Sequence, residues 1–539
     1  MLARRSTSRQ KQSLVFTLLL SLAIALAVAA GLTQSAGAAG ERSSASGVLV
    51  VDNVFNNKNL DPHREASVTA NMALHAMYDT LLTFRGKDYT PVPSVATSWK
   101  VSDDDRSITF TLRKDIVFSD GTPLTAKDVV FSYARLYNLK GVQSFLLRGL
   151  KLRAIGKYQV VLESDTPNPA LLRIVESPNL GIVNRKVVAA NGGTAALNAA
   201  TTDKAEAWLS QNSAGSGPYV IKDFTPQQQI TLEVNPKYWG PTPRFKRIVI
   251  RNMPSAAQLL NVQRGTREIA IDVPALLIPT VAGNKDVQAV VAPGTNIFYL
   301  TVNLTPGVTD ASNPKILQAL RLAIDYDALM ALGGPGTARL PGMVPVGFLG
   351  SLPADQAIKR DVAKAKQLVA ESGLKEVSFE LATVSGFSFS GISLETVAQK
   401  LQSSFAEVGL KSTIRLRPIG LHLQVRAERK LEVNIGLPSL SYPDPNNYLA
   451  YAPNGVQALF FGYTNDPVAT ALADQAQKTI DDTKRAALFV KYQQRLNAVS
   501  AFTPIMQPAE ALVASARLTN IVRNGIWYVD LARVGERKA

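Results

Sequence analysis

Apolar residues recur at two different periods along this chain, which predicts both strands and helices. Residues 48 to 53, VLVVDN, begin with four consecutive apolar residues, as in a strand that is buried on both faces. Ile108, Phe110 and Leu112 alternate with polar residues, which is typical of a strand with one buried face. Residues 394 to 408 carry apolar side chains three or four positions apart, as in an amphipathic helix. We therefore predict an α/β protein.

Capping residues mark where several of the predicted helices begin and end. Thr125 followed by Asp128 is a capping-box pattern, and Asp361 fits the N-cap of a later helix. Gly373 and Gly409 are placed to end two helices. No short-period repeat and no low-complexity linker divides the chain, so several α/β lobes that are joined tightly are expected.

The first residues have the order of a secretory signal peptide. Four basic residues precede the apolar run of residues 14 to 32, and the small residues Ala36-Gly37-Ala38 follow it as a cleavage signal. We predict that residues 1 to 38 form the signal peptide. The alternative is an uncleaved membrane anchor, because the apolar run is almost long enough to cross a bilayer.

Composition narrows the class of protein further. The 539 residues are 46% hydrophobic and 19% charged, which fits a globular protein with large cores. Cysteine is absent, so disulfides, thiolate metal sites and the lipid-bearing cysteine of surface lipoproteins are excluded. The net charge is +16, but the basic residues are scattered and no nucleic-acid-binding motif is present. We expect a periplasmic protein that is not a lipoprotein and binds no nucleic acid.

Catalytic and metal-binding motifs are absent from the sequence. There is no G-x-S-x-G nucleophile elbow, and the three histidines are isolated from one another. The glycine-rich residues 333 to 336 lack the Lys and Ser or Thr of a phosphate-binding loop. We therefore expect neither an enzyme nor a cofactor.

Several segments resemble one family of bacterial proteins, and they occur in the same order as in that family. The chain is similar in these segments to the large substrate-binding proteins of bacterial ABC importers, which include oligopeptide, dipeptide and nickel binders. The segments are ANMALHAMYDTLLTF and PVPSVATSWKVSDDDRSITFTLRKDIVFSDGTPLTAKDVVFSY within residues 70 to 133, SGPYVI (216 to 221), NPKYWG (235 to 240), NPKILQALRLAIDYDAL (313 to 329) and IGLPSLSYPDPNNYL (435 to 449).

The resemblance implies a fold and a division of the chain. The fold is a type II-like, two-lobed periplasmic-binding-protein fold of the large cluster C type, with an extra small domain in lobe one. Lobe one is expected at residues 47–83, 205–303 and 506–539. Its additional domain is expected at residues 84–204, and lobe two at residues 304–505.

The resemblance also implies a function. A periplasmic receptor of this family captures a peptide-like or other small organic solute between its lobes and delivers it to an inner-membrane ABC permease that has a separate ATPase. We expect a monomer. The alternative functions are a secreted hydrolase or a sensor on the same scaffold.

Aromatic and basic residues are the first candidates for contacts with the solute. Phe387 and Phe389 lie in a glycine-flanked loop, whose family counterpart approaches the cleft. Tyr442 and Tyr448 lie in the proline loop SYPDPNNYL. Arg426 is placed like an arginine that faces the carboxylate end of the ligand in oligopeptide binders, and a guanidinium suits a carboxylate.

Ser441 marks a departure from the peptide-binding pattern. Peptide binders often carry an aspartate there, which pairs with the peptide ammonium, and a buried ammonium needs such a countercharge. Asp444 is a candidate substitute in this loop, and Pro438 replaces a tryptophan of several members. These changes favour a blocked peptide, an opine, a sugar conjugate or another organic solute over an ordinary peptide.

Overall fold

The computed structural model describes residues 47–65, 67–86, 89–436 and 441–537. The predicted signal peptide, residues 1 to 38, and Pro438 lie outside the described residues. Within the described part, three sheets of four or more strands organise the chain, and they correspond to three hydrophobic regions. The predicted α/β class and the two-lobed architecture are confirmed.

The first sheet has seven strands and mixed direction. The predicted buried strand Val48–Asn53 is confirmed, and it pairs in parallel with two neighbours in the middle of the sheet. Because the strand is covered on both faces, its first four side chains are all apolar, and only Asp52 and Asn53 at its end are polar. In sheet order the strands are Val287–Pro293, Ala509–Ser515, Glu268–Ala270, Val48–Asn53, Arg247–Asn252, Gln229–Val234 and Tyr219–Thr225.

The second sheet has six strands. The predicted helix at residues 394 to 408 is confirmed as Leu394–Glu407, and it leads into the strand Lys411–Arg417 through Gly409, whose φ is 85°. In sheet order the strands are Ala338–Arg339, Phe502–Gln507, Phe298–Val302, Val433–Gly436, Ser378–Val384 and Lys411–Arg417.

The third sheet has four antiparallel strands and lies within residues 84–204. The strand Ser107–Leu112 alternates buried and partly buried residues, as its sequence predicts. The helix Ala126–Asn138 begins at the predicted cap, where the backbone N–H of Thr125 donates to the Asp128 carboxylate at 2.9 Å. In sheet order the strands are Ala96–Val101, Ser107–Leu112, Gln159–Ser164 and Leu150–Ile155.

Short hairpins and helices connect these sheets. The two-stranded pairs are Leu82–Phe84 with Pro91–Pro93, Ser388–Phe389 with Ile392–Ser393, Leu518–Thr519 with Gly535–Glu536, and Arg523–Asn524 with Tyr528–Val529. The remaining α-helices are Val68–Met77, Leu171–Ile174, Arg185–Ala190, Ala199–Thr202, Glu206–Leu209, Ser255–Arg264, Ile278–Val281, Pro314–Ala323, Tyr326–Gly333, Val362–Ala370, Ile419–Ala427, Pro467–Lys478 and Asp482–Val499. The 3₁₀ helices are Val142–Leu147, Pro178–Leu180, Ala275–Leu277, Asp310–Ser312, Ala354–Gln356, Pro445–Tyr451 and Ala458–Phe461.

The chain passes between the first and second sheets at two places in its described part. Val287–Pro293 is in the first sheet and Phe298–Val302 is in the second, whereas the sequence-based division kept residues up to 303 in lobe one. The return passage follows Phe502–Gln507 and precedes Ala509–Ser515. We therefore propose that the lobes meet at residues 294–297 and at Pro508, and we call these the crossing segments.

Candidate ligand-binding cleft

The two crossing segments are hydrogen-bonded to each other. The backbone N–H of Gly294 donates to the carbonyl of Pro508 at 3.1 Å, and the side-chain amide of Gln507 donates to the carbonyl of Gly294. A Cβ on Gly294 would lie 2.7 Å from the Pro508 carbonyl oxygen, so a side chain would force these backbones apart. Such paired crossings are suited to hinge motion, because a few backbone angles can turn one lobe against the other.

The lobes are in contact beyond these crossings. Gly391 of the second sheet's lobe lies so close to Pro274 that a Cβ would approach the proline ring to 2.5 Å. At the crossing itself, the hydroxyl of Tyr448 donates to the carbonyl of Thr295 at 3.1 Å. The lobes therefore touch both at the crossing segments and at Gly391.

A small cavity, here called the inner chamber, lies beside the crossing segments and has a volume of about 170 Å³. The first sheet's lobe contributes Ala292, Glu510 and the hairpin residues Arg523, Asn524 and Gly525. The other wall residues are Tyr89, Gly294, Thr295, Val346, Gly347, Phe348 and Gln507. The inner chamber thus has wall residues on both sides of the crossing segments.

A buried ion pair forms one wall of the inner chamber. Nη1 of Arg523 lies 3.2 Å from Oε2 of Glu510, and the two side chains are only 5% and 3% exposed. Despite this short distance, neither Nη1 nor Nε of Arg523 has an aligned hydrogen-bond acceptor among the described residues. Glu510 also accepts from Asn296 at 3.0 Å, and the guanidinium stacks over the Tyr528 ring at 4.5 Å. The two charged groups are close together, but Nε and Nη1 of Arg523 have no aligned hydrogen-bond acceptor in the described part of the chain.

Thr295 adds a second polar group without a partner. The residue is buried, and its hydroxyl has no hydrogen-bond partner in the described part of the chain. The hydroxyl packs against Gly525, where an added Cβ would lie only 1.8 Å from it. The Asn524 side chain fixes this tight hairpin by accepting from the backbone N–H groups of Ile526 and Trp527, both at 3.0 Å. Local turn chemistry thus sets Arg523 and Gly525 in place beside Thr295.

A larger cavity, the outer chamber, has a volume of about 500 Å³ and adjoins the inner chamber. One side is formed by residues of the third sheet's domain, and the other by Gly347–Leu349, Pro443–Pro445 and the start of the helix Asp482–Val499. The charged residues of its wall are Asp105, Arg173, Asp444, Asp482 and Arg485.

Tyr89 lines both chambers and lies between them. Its φ is 53°, an uncommon value for a residue with a side chain, and its hydroxyl accepts from the backbone N–H of Gly525 at 3.3 Å. Its ring lies 6.3 Å from that of Phe348, measured between centroids. Burial raises the pKa of Tyr89 to about 12, so it stays a neutral hydroxyl at physiological pH.

Asp444 is the one predicted site residue that lines a chamber. It is buried, receives two hydrogen bonds from the guanidinium of Arg485 and caps the helix Pro445–Tyr451 by accepting from the N–H of Asn446 at 2.8 Å. The negative charge of Asp444 is therefore already paired with the positive charge of Arg485 within the protein. Asp444 is therefore not placed as a spare countercharge for a solute ammonium.

The other predicted residues of the proline loop have packing contacts. Tyr442 is buried in the hydrophobic cluster of the third sheet's domain, and Tyr448 is buried in a cluster next to the crossing segments. Ser441 is partly buried, and its backbone N–H donates to Asn447 at 3.4 Å. None of these three is a wall residue of the two chambers.

Phe387, Phe389 and Arg426 also lie away from the chamber walls. Phe387 is 41% exposed, whereas Phe389 packs on the core of the second sheet's lobe, with its ring 6.1 Å from that of Phe298. The sequence interpretation underestimated the core available to Phe389. The guanidinium of Arg426 stacks over Phe460 at 4.8 Å, and burial lowers its pKa.

Sequence reasoning missed the polar residues of the inner chamber. One sequence feature could have indicated this site, namely Glu510. It is the only charged residue in the strand Ala509–Ser515, and all residues of this strand are buried. A charge in such a strand requires a partner. Arg523 and Thr295 could not be found from spacing, because folding alone brings their segments together.

The described residues contain neither a metal-holding cluster nor a membrane-spanning helix. No group of three or more His, Asp or Glu side chains is arranged to hold a metal ion. No helix in the described ranges has the length and apolar character needed to cross a membrane.

The two-lobed fold, with cavities next to the segments that join its two main sheets, is typical of two-lobed binding proteins. Residues 90–458 match the model of the bacterial extracellular solute-binding proteins, family 5 Middle. The chain belongs to this family of solute-binding proteins.

Individual relatives agree with this assignment. The probable D,D-dipeptide-binding periplasmic protein DdpA of Escherichia coli is 26% identical over 84% of this chain and 90% of its own length. DppA of Helicobacter pylori in complex with the peptide STSA is 20% identical, with a TM-score of 0.78 over 91% of this chain and 98% of that chain. AgaA of A. tumefaciens R10 in complex with agropinic acid is 21% identical, with a TM-score of 0.77 over 92% and 99%.

Proposed function

We propose that this protein is the periplasmic receptor of an ABC importer, which holds a small organic solute between its lobes and delivers it to an inner-membrane permease with a separate ATPase. The observation that carries the proposal is the pair of adjoining chambers between the lobes, one of which has buried polar groups without partners. Pockets of this kind suit a small organic ligand.

Hinge closure would provide the mechanism. A solute in the inner chamber would contact the Arg523 hairpin on one side and Phe348 on the other, so it would favour the closed state over an open one. The permease would then distinguish the loaded receptor from the empty one by the relative position of the lobes.

The solute is proposed to be a peptide-like or other organic molecule that lacks an ordinary free peptide ammonium. Asp444 is already paired with Arg485, and Ser441 has no charge. The relatives' names include both peptides and the opine agropinic acid, so the fold accommodates both kinds of ligand.

We also propose that residues 1–38 are a signal peptide, that the exported protein is free in the periplasm and that it acts as a monomer. The absence of cysteine supports a protein without a lipid anchor. Mass spectrometry of the exported protein would detect the expected new N-terminus after Ala38.

A binding screen tests the receptor function. The purified protein is heated with blocked and unblocked peptides, opines, sugar conjugates and aromatic acids, and a specific ligand should raise the unfolding temperature. Every hit is then incubated with the protein and analysed by mass spectrometry. Recovery of the unchanged solute supports a receptor, and conversion into a product would favour the alternative, a secreted hydrolase.

A transport assay separates a receptor from a sensor. Cells that lack this protein should stop accumulating the labelled solute if the protein feeds a permease. Normal uptake together with a lost transcriptional response would favour the sensor.

A further inference from the structure

The guanidinium of Arg523 is buried with fewer acceptors than its donors require. Arg523 is 5% exposed, and its Nε has no acceptor among the described residues. A buried N–H without a partner is costly, and most such groups in folded proteins are satisfied by protein, water or ligand.

Another buried arginine of this chain, Arg135, has carboxylate acceptors on both sides of its guanidinium group. Arg135 is completely buried and donates to two carboxylates, those of Asp61 and Asp203, through four hydrogen bonds of 2.6 to 2.9 Å. Among the described residues, Arg523 has one carboxylate within ion-pair distance, that of Glu510, and the contact is not an aligned hydrogen bond. Arg523 therefore lacks the second paired carboxylate that Arg135 has in the described part of the chain.

Two residues with unused donors are wall residues of the inner chamber. They are Arg523 and Thr295, and the hydroxyl of Thr295 has no partner in the described residues. Gly525, a third wall residue, packs against the Thr295 hydroxyl so closely that no Cβ would fit there. A group bound here would meet N–H and O–H donors together.

We propose that the inner chamber binds a carboxylate of the solute through Arg523 and Thr295. The planar guanidinium matches a carboxylate in shape and charge, and the threonine hydroxyl donates a further hydrogen bond. Glu510, which is also a wall residue of the chamber, balances part of the arginine's charge. This inference deepens the proposed function, on which it rests, because it assigns an acidic group to the solute and a place where that group binds.

Matched pairs of small probes test the site without knowledge of the natural solute. Acetate, glycolate and lactate are compared with acetamide, glycolamide and lactamide, up to about 100 mM and at constant ionic strength, by the unfolding temperature of the exported protein. Each carboxylate should raise the temperature more than its amide. Arg523→Gln should remove this difference, and Thr295→Val should reduce it.

Two controls keep the result interpretable. Arg153→Gln removes an exposed arginine that pairs with Glu163, and it should retain the full difference between carboxylates and amides. If Arg523→Gln does not fold, Arg523→Lys replaces it, because lysine keeps a cation opposite Glu510 but has no planar Nε edge. The lysine variant should show a smaller difference than the wild type.

The outcomes that overturn the inference are specific. Equal stabilisation by carboxylates and amides in the wild type, or an unchanged difference in the Arg523 variant that folds, would exclude the carboxylate site. A screened solute that binds the wild type and this variant equally would exclude the site and leave the receptor function standing. A carboxylate difference in a protein that binds no solute would support the site and contradict the receptor function.

Discussion

Two buried arginines of this protein differ in how many hydrogen-bond acceptors their guanidinium groups have among the described residues. Arg135, on the helix Ala126–Asn138, joins Asp61 and Asp203, and each of these carboxylates receives two hydrogen bonds from it. Arg523 lies at the inner chamber and has, among the described residues, one carboxylate partner and donors without an acceptor. The hydrogen bonds of Arg135 are all made within the protein, which suits a structural role. Those of Arg523 would be completed by the solute carboxylate that we propose.

The electrostatics of the Arg135 cluster follow from this arrangement. Burial alone would lower the pKa of Arg135, but the hydrogen bonds and charges of Asp61 and Asp203 outweigh it and hold that pKa above its usual value. Burial opposes the ionised form of Asp203, yet Arg135 lowers the pKa of Asp203 to about 2. Arg135 and Asp203 therefore stay ionised at neutral pH.

Removing Arg135 should have the largest effect on stability. Arg135→Met leaves two buried carboxylates without their cation, and we expect a loss of about 3–5 kcal/mol in the free energy of unfolding by urea. Arg153→Gln, at an exposed ion pair, should cost less than about 1 kcal/mol. Similar losses for both variants would contradict the structural role of the Arg135 cluster.

His63 should make the Arg135 cluster sensitive to acid. Nδ1 of His63 lies 3.0 Å from the Arg135 guanidinium, and Nε2 lies 3.1 Å from the Gly181 carbonyl, so the neutral ring accepts at one nitrogen and donates at the other. Burial, followed by the charge of Arg135, lowers the pKa of His63 to about 4. The unfolded chain, with a histidine pKa of about 6.5, then binds the extra proton first.

Stability should therefore fall as the pH decreases through this window. The full contribution of His63 is present above about pH 6.5, and about 3 kcal/mol is lost by about pH 4. Urea unfolding at several pH values should show this slope in the wild type and a shallower slope in His63→Gln. Equal slopes in the two proteins would mean that His63 does not titrate as described.

Arg523→Gln should destabilise the solute-free protein less than Arg135→Met does. It leaves Glu510 buried, but the hydrogen bond from Asn296 remains, and we expect a loss of about 2 kcal/mol in urea unfolding. A loss as large as that of Arg135→Met would show that Arg523 is already satisfied in the empty protein, which would remove the contrast between the two arginines.

The smallest effect is expected at the hydrogen bond next to the inner chamber. Tyr448→Phe removes the donor to the Thr295 carbonyl and keeps the ring, so the loss in urea unfolding should be about 1 kcal/mol. Val499→Ala, at a part-exposed position, provides a surface control. If Tyr448→Phe lost more unfolding free energy than Arg523→Gln, the Tyr448 hydrogen bond would stabilise this region more than the Arg523 ion pair does, which would contradict the expected order.

Local features of the fold could be predicted from the sequence, because they depend on neighbouring residues. The cap at Thr125 and Asp128, the strand at 48–53 and the helix ended by Gly409 were each confirmed. The family motifs indicated the lobes. The boundary near residue 303 differed, because strand Phe298–Val302 belongs by pairing to the second sheet.

The inner chamber could not be predicted from local features. Thr295 and Gly525 are far apart in sequence and meet only through the crossing segment and the C-terminal hairpin. The family pattern directed attention to Arg426 and the proline loop instead. Whether Arg426, Ser441 and the loop aromatics contact a solute stays a prediction.

A crystal structure of the protein with a solute from the screen tests the central claim most directly. We predict the intact solute between the lobes, with a carboxylate within hydrogen-bond distance of Nε of Arg523 and of the Thr295 hydroxyl. A solute bound outside the two chambers, or one that leaves Arg523 without an added acceptor, would contradict this account.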